Sequence, residues 1–181
     1  GLPFHVQLAG GEPTLEPGLI EFVGRTVRQA RWPATLAIQT NGTLIDRNLI
    51  NRCRRYDIAI GVSLDGPPDV QEELRGGSGA TFRGLAILEQ AASPVRVTTV
   101  LSSFNAGRLR DLILVLAKFT NIRGFGLDPL VVTGAARTTP DLLPPEEAIR
   151  SGMRDMCKAI KQINECYGRH IEWREMDAVC R

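Results

Sequence analysis

Strand-like and helix-like segments alternate along this chain, and that alternation narrows the folds open to it more than any other feature. Phe4 to Ala9 reads as a buried strand, Leu36-Ala37-Ile38-Gln39 as a second, and Ile58 to Leu64 as a nearly continuous apolar third. Val95 to Leu101 is a β-branched fourth, and Phe125-Gly126-Leu127 belongs to a short fifth. Between them apolar residues recur at helical spacing. Leu19, Ile20, Val23 and Val27 mark a helix from Pro17 to about Arg31, and a second runs from Ile45 to Arg55 with Asp46 in its first turn. Thr81 can cap a third that runs to about Ala92. Leu109, Leu112, Ile113 and Leu116 form one face of a fourth, from Arg108 to Phe119. Apolar, two-sided strands alternating with helices predict an α/β fold of parallel strands covered by helices.

Four of the strand-to-helix loops carry Gly10-Gly11, Asn41-Gly42, Asp65-Gly66 and Asp128-Pro129. In a parallel sheet all four fall on one rim, the carboxyl edge of the strands, where open sheets and barrels bind ligands. After Pro140 the pattern changes. Pro144-Pro145-Glu146-Glu147 is a helix start, and Ile149, Met153, Met156, Ile160, Ile163 and Tyr167 follow as an apolar stripe.

Composition sets the outer bounds. With 181 residues, 43% of them hydrophobic and 23% charged, the chain is expected to be one ordinary soluble domain or most of one. A net charge of +2 argues for neither nucleic acid nor membrane, and there is no apolar run of membrane-span length. Cys53, Cys157, Cys166 and Cys180 include no C-x-x-C pair, so a reducing cytoplasm is expected rather than a disulfide framework. Cys53 shares the apolar helix face of Ile45, Leu49 and Ile50, as a buried structural thiol would. Cys157 and Cys166 lie nine residues apart on opposite helix faces, so no shared metal is expected. His5 and His170 show no ligand spacing, and His5 is expected to pack in the core. The start, almost at a strand, reads as a cut within a larger protein.

The rim residues suggest recognition of an amino acid-like ligand. Gly10 and Gly11 let the backbone turn sharply and leave room for a ligand, and Pro13 stiffens the turn. Glu12 offers an acceptor to an ammonium. Ser63 can donate to a carboxylate, and Arg75 can clamp one with two parallel bonds. Each element has an ordinary alternative: Gly10-Gly11 and Asn41-Gly42 as plain turns, Asp65 as a turn or cap residue, Arg75 as a solvated charge.

Five motifs in order carry a resemblance. Gly10-Gly11-Glu12-Pro13, Ile38-Gln39-Thr40-Asn41-Gly42-Thr43-Leu44, Val62-Ser63-Leu64-Asp65-Gly66-Pro67, Arg75 and Gly79-Ala80-Thr81-Phe82 resemble those of the radical S-adenosylmethionine (radical SAM) enzymes. The nearest branch is that of anaerobic sulfatase-maturating enzymes and SPASM-type peptide maturases. The resemblance covers roughly residues 4 to 137. It implies a partial (β/α)6 barrel, TIM-like and open on one side, over 1–140, with 141–181 as a C-terminal helix and the start of an auxiliary-cluster extension. It implies S-adenosylmethionine contacts at Gly10, Gly11, Glu12, Pro13, Gln39, Asn41, Ser63, Asp65 and Arg75, with Leu127 at the strand end near the adenine. In that family a [4Fe-4S] cluster reductively cleaves S-adenosylmethionine, and the resulting 5′-deoxyadenosyl radical abstracts a substrate hydrogen. A peptide or protein substrate and an electron donor such as flavodoxin or ferredoxin are the implied partners, and the cytoplasm the implied place.

Two departures qualify it. The family's C-x3-C-x2-C cluster motif, which precedes Gly-Gly-Glu-Pro, is not in this sequence, so the chain is expected to lack the first barrel strand and cluster loop, to be inactive alone and to expose an apolar edge. Where many relatives have His-Asp before the arginine, this chain has Gln71-Glu72. Cys180 is a candidate auxiliary-cluster ligand. The rival reading is a cluster-free, non-enzymatic module that uses the same barrel to bind peptides.

Overall fold

The computed structural model describes residues 3–131, 137 and 139–179. Its centre is one sheet of six parallel strands: β1 (Phe4–Leu8), β2 (Ala34–Thr40), β3 (Ile58–Ser63), β4 (Val95–Leu101), β5 (Ile122–Pro129) and β6 (Glu172–Trp173). They neighbour one another in chain order. The crossovers carry α1 (Pro17–Gln29), α2 (Arg47–Arg55), the pair α3 (Pro68–Arg75) and α4 (Ser78–Gln90), α5 (Leu109–Leu116) and α6 (Glu146–Tyr167); α7 (Arg174–Val179) follows β6. Parallel strands that never reverse their order, joined by crossovers of one hand, keep all their helices on one face. The result is an open, barrel-like arc rather than a doubly wound sheet.

The core lies between that face and the helices. Leu36 and Ile38, Ile60 and Val62, Val95 and Val97, and Phe125 point into it. They meet Ile20 and Val27 of α1, Leu49 and Ile50 of α2, Leu85 and Leu88 of α4, and Leu109, Leu112 and Leu116 of α5. α6 packs on α5 and brings Met156, Ala159 and Ile163 into the same cluster, while Tyr167, last in its stripe, is 73% exposed. The helices cover one face of the strands, as the expected open barrel requires. Alternate residues of the same strands, Thr35, Ala37, Ala59 and Gly61, face away from the helices and stay open. Small side chains there keep a strand looking apolar in sequence without giving a helix anything to bury.

Other corrections are local. β1 is an edge strand rather than a buried one, because only β2 pairs with it. Phe4 is accordingly 44% exposed beside Trp32, itself 51% exposed. His5 is on the open face, its Nδ1 2.8 Å from Thr35 Oγ1, not in the core. Thr81 does not cap α4. Gly77 occupies the N-cap in a left-handed conformation, and Thr81 lies buried inside the helix, where its hydroxyl donates to the Asn41 carbonyl at 2.9 Å. α3 fills a stretch that read only as charges and glycines. Asp46 is the N-cap of α2, accepting from Leu49 N–H at 2.7 Å. Cys53 is buried as expected, and that burial pushes its thiol up to about 11 against the opposing charge of Arg52. Cys157 and Cys166 are exposed; Cys180 lies outside the described residues. No helix among the described residues is long and apolar enough to cross a membrane.

Candidate functional site

The parallel sheet delivers the carboxyl ends of β1, β2, β3 and β5 to one rim, and the sequence-marked residues fall there in three tied groups. The first joins β1 to β2. Gly10 and Gly11 have φ of 90° and 55°, a region that favours glycine, and no atom lies within 4 Å of where a Cβ would stand on either. Their backbone N–H and C=O groups find no partner among the described residues and face open space. Glu12 fixes this loop. Its Oε1 accepts from Thr14 N–H (3.1 Å), Thr14 Oγ1 (2.6 Å) and Thr40 Oγ1 (2.6 Å), and its Oε2 from Asn41 N–H at 2.7 Å. Burial raises the carboxyl's pKa, but the bonds from Asn41, Thr14 and Thr40 outweigh it and hold Glu12 below the ordinary 4.5. Pro13, buried, starts the 3-10 turn Pro13–Leu15 behind it.

The second group joins β2 to β3 on the open face. Gln39 Nε2 donates to Ser63 Oγ at 3.0 Å. Gly61 lies beneath the amide: a Cβ there would come within 2.3 Å of Gln39 Oε1. Asn41 closes the loop instead of reaching outward, its Oδ1 accepting from Thr43 N–H and Oγ1 at 2.9 and 2.8 Å.

The third group joins β3 to α3 and β4. Asp65, 5% exposed, accepts from Val100 N–H at 2.8 Å through Oδ1 and from Arg75 Nε at 2.5 Å through Oδ2. Arg75 thus ends α3 with one edge held, and its two terminal nitrogens find no partner among the described residues. Gln71 is buried and accepts from Asp65 N–H at 2.8 Å, while Glu72 accepts from Ser78 N–H at 2.7 Å. The Gln71-Glu72 pair therefore braces the Asp65 and α4 turns. Leu127 joins none of these groups. Its side chain packs against the core edge, and its N–H is taken by Glu175 Oε2 at 3.2 Å.

Sequence reasoning missed several supports. Thr40 and Gln71 stood within quoted stretches, but their roles as supports of Glu12 and of the Asp65 N–H appear only in the hydrogen bonds. Asn105, 1% exposed, spans the Asp65 and Val100 carbonyls at 2.9 and 2.8 Å, and an Asn before a short turn carries no such signal. Beyond the rim, the concave face forms a groove of about 750 Å³ that includes Gln39, Gly61, Thr98 and Gly126.

No protein-family model matches the chain. Among curated proteins it is 31% identical over 121 residues to an uncharacterized protein of Methanocaldococcus jannaschii, a match covering 63% of this chain and 42% of that one. It is 34% identical over 111 residues to the Fe-coproporphyrin III synthase of Methanosarcina barkeri, covering 59% of this chain and 26% of that one. Among solved structures, native anSMEcpe with bound AdoMet and the Kp18Cys peptide superposes with a TM-score of 0.75 at 19% identity, over 97% of this chain and 51% of that one. A domain of pyruvate-formate lyase-activating enzyme from Bacteroides vulgatus gives 0.65 at 14% identity over 92% and 96% of the two chains. Streptococcus suis SuiB bound to S-adenosylmethionine gives 0.66 at 14% over 93% of this chain and 37% of that one. The chain thus spans less than half of its curated relatives and about half of anSMEcpe. Its fold is the partial, open α/β barrel of these enzymes. That fold is the one the likeness of its motifs to the radical SAM enzymes leads one to expect.

Proposed function

We propose that this chain is the S-adenosylmethionine-binding part of a radical SAM enzyme that modifies a peptide or protein, a maturase or activating-enzyme type. The observation that carries the reading is the open, partnerless backbone of Gly10 and Gly11, held by Glu12 beside Gln39–Ser63 and Arg75 on one rim. The carbonyls of the two glycines accept from the methionyl ammonium. Glu12 adds its negative charge at that end, Oε2 keeping acceptor capacity beyond its bond to Asn41. Ser63 Oγ and the free nitrogens of Arg75 take the carboxylate, with Gln39 orienting Ser63 and Asp65 orienting Arg75. Asn41 and Pro13 hold the loops that present these groups, and Leu127 packs the wall beyond them.

The described residues do not fit an iron-sulfur cluster: none of them form a group of three or more His, Cys, Asp or Glu able to hold a metal. The chain's own part is therefore to bind and orient the cofactor. The peptide substrate is supported by the peptide bound to anSMEcpe.

Calorimetric titration of the full-length protein with S-adenosylmethionine tests this. Glu12→Ala and Arg75→Ala should each weaken binding by about tenfold or more, the value of one charged hydrogen bond. Unchanged affinity in both variants rejects the rim assignment. Peptide binding by a wild type that takes no S-adenosylmethionine favours the non-enzymatic module.

A further inference from the structure

The side of the groove formed by β4, β5 and β6 carries three arginines that the cofactor reading leaves unused. Arg96 lies across Gly124, which faces it in the register of β4 and β5; a Cβ on Gly124 would come within 3.3 Å of Arg96 Nη1. Arg174 lies across Gly126 in the same way, its guanidinium carbon 2.5 Å from where a Cβ would stand. Two glycines on one face of β5 thus leave room above the strand, Gly126 for the Arg174 guanidinium and Gly124 for Glu172 and the end of Arg96.

Each plane is pinned along one side. Arg96 Nη2 donates to Glu172 Oε2 at 2.6 Å. Arg174 Nη2 donates to Asp128 Oδ1 at 2.5 Å, and its Nε donates to Glu175 Oε1 at 2.8 Å. Nη1 of both residues and Nε of Arg96 have no partner among the described residues. The side chains remain 58% and 51% accessible, so the acids orient the forks without covering them. The third arginine comes from an irregularity. The β4–β5 register slips at Val95/Arg96, leaving Arg123 unpaired on β5 as the extra residue of a bulge. A bulge re-aims the side chain it carries, and Arg123 lines the groove with no acidic partner among the described residues. Asp57 is the one carboxylate in that lining, and it is paired with Arg28.

We propose that Arg96, Arg123 and Arg174 form a carboxylate-binding site in the groove, fitted to a substrate that carries two or more carboxylates. The guanidinium N–H groups left free, on Arg96, on Arg123 and on Nη1 of Arg174, suit carboxylate oxygens, and fixing Arg96 and Arg174 beforehand lowers the ordering cost of binding. As a substrate site this rests on the proposed function, because the groove opens beside the rim at Gln39 and Gly61. As a carboxylate site it stands alone. An acidic peptide and a small polycarboxylate share the chemistry.

The test is calorimetric titration of the full-length protein with citrate, with a tetraglutamate peptide, and with tetraglutamine as the uncharged control. We expect at least one of the two acids to bind about tenfold or more tightly than tetraglutamine. R96Q, R123Q and R174Q should each weaken that binding by about tenfold, and R150Q on exposed α6 should leave it unchanged. R96K keeps the charge and loses the fork, so it should fall between wild type and R96Q, and it serves if R96Q does not fold. A preference for tetraglutamate assigns an acidic peptide; a preference for citrate assigns a small molecule. Equal binding of acids and control, or variants that bind like wild type, overturns the proposal. S-adenosylmethionine titrated into the same variants separates the two readings: its absence from wild type defeats the cofactor reading and leaves the carboxylate site standing.

Discussion

The two faces of the sheet are built from alternate residues of the same strands, yet they obey different constraints. Under the helices, Ile38, Val62, Val97 and Phe125 are at most 1% exposed and locked into one cluster. On the open face, Ala37, Gly61, Thr98 and Gly126 are small, and what fills the space between them is polar: Gln39, Arg96 and Arg174. The first face fixes the fold through shape and apolar area. The second gives up burial so that side chains with several hydrogen-bonding groups can lie flat and stay accessible. Stability and site are therefore separable on alternate positions of one strand, and substitutions can break them apart.

The largest expected effect falls on the buried face. Ile38→Ala should cost about 2–5 kcal/mol, the transfer of its side chain plus the cavity left behind. Thr98→Ala, two strands away on β4 and facing the groove, should stay within about 0.5 kcal/mol. Urea denaturation of both variants makes the comparison; equal losses would mean that the open face is packed in solution.

Asp65→Ala comes next, because it strands Val100 N–H and the Arg75 guanidinium together. Removing one partner of a buried ion pair costs about 3–5 kcal/mol. Arg75 keeps about a third of its side chain accessible (33%), so water recovers part of that and a loss of about 2 kcal/mol is expected. The same variant should also lower S-adenosylmethionine affinity if Arg75 needs Asp65 to aim it. Asp65→Asn, which keeps the shape, should recover most of the stability.

A pair of glycines sharpens the comparison further. A Cβ on Gly84 of α4 would stand 2.2 Å from the Gly42 carbonyl, a backbone atom held in the rim loop. Gly84→Ala should therefore cost about 1–3 kcal/mol as an overpacked contact. A Cβ on Gly61 meets the end of the Gln39 side chain, which can swing aside, and is at ordinary contact distance, 3.4 Å, from the Ile38 carbonyl. Gly61→Ala should cost less than about 1 kcal/mol while breaking the Gln39–Ser63 bond, and so act on cofactor affinity rather than on the melting curve.

The buried face was the legible one. Runs such as Ile58 to Leu64 and Val95 to Leu101 announce strands, and Leu109 to Leu116 a helix, because burial leaves a period in the sequence. The order of the rim motifs also brought Glu12, Gln39, Ser63 and Arg75 to one edge before any contact was known. What stayed hidden has no period. β6 is two residues long, and its place depends on Trp173 stacking on Phe125 at 6.3 Å. Asp65 read as a turn residue because nothing local marks a partner ten positions away. The arginines of the groove were invisible because their site is made by two glycines and a bulge on β5, which carries Arg123, with Arg96 arriving from β4 and Arg174 from the start of α7.

Glu12 gives the smallest and most specific of these effects. Its four hydrogen bonds favour the carboxylate, so its pKa in the folded protein lies below its unfolded value near 4.5. A depressed pKa contributes stability that is fully present above the unfolded value and is lost as pH falls through the folded one. Between neutral pH and about 5 the Glu12 contribution should be flat, and below about 4.5 it should decline. Glu12→Gln keeps the size of the side chain and removes the charge. The stability difference between wild type and Glu12→Gln should therefore shrink on acidification, as followed by thermal melts from pH 7 to pH 3. A difference that grows toward low pH, or none at any pH, would show that the carboxylate does not hold the rim loop in place.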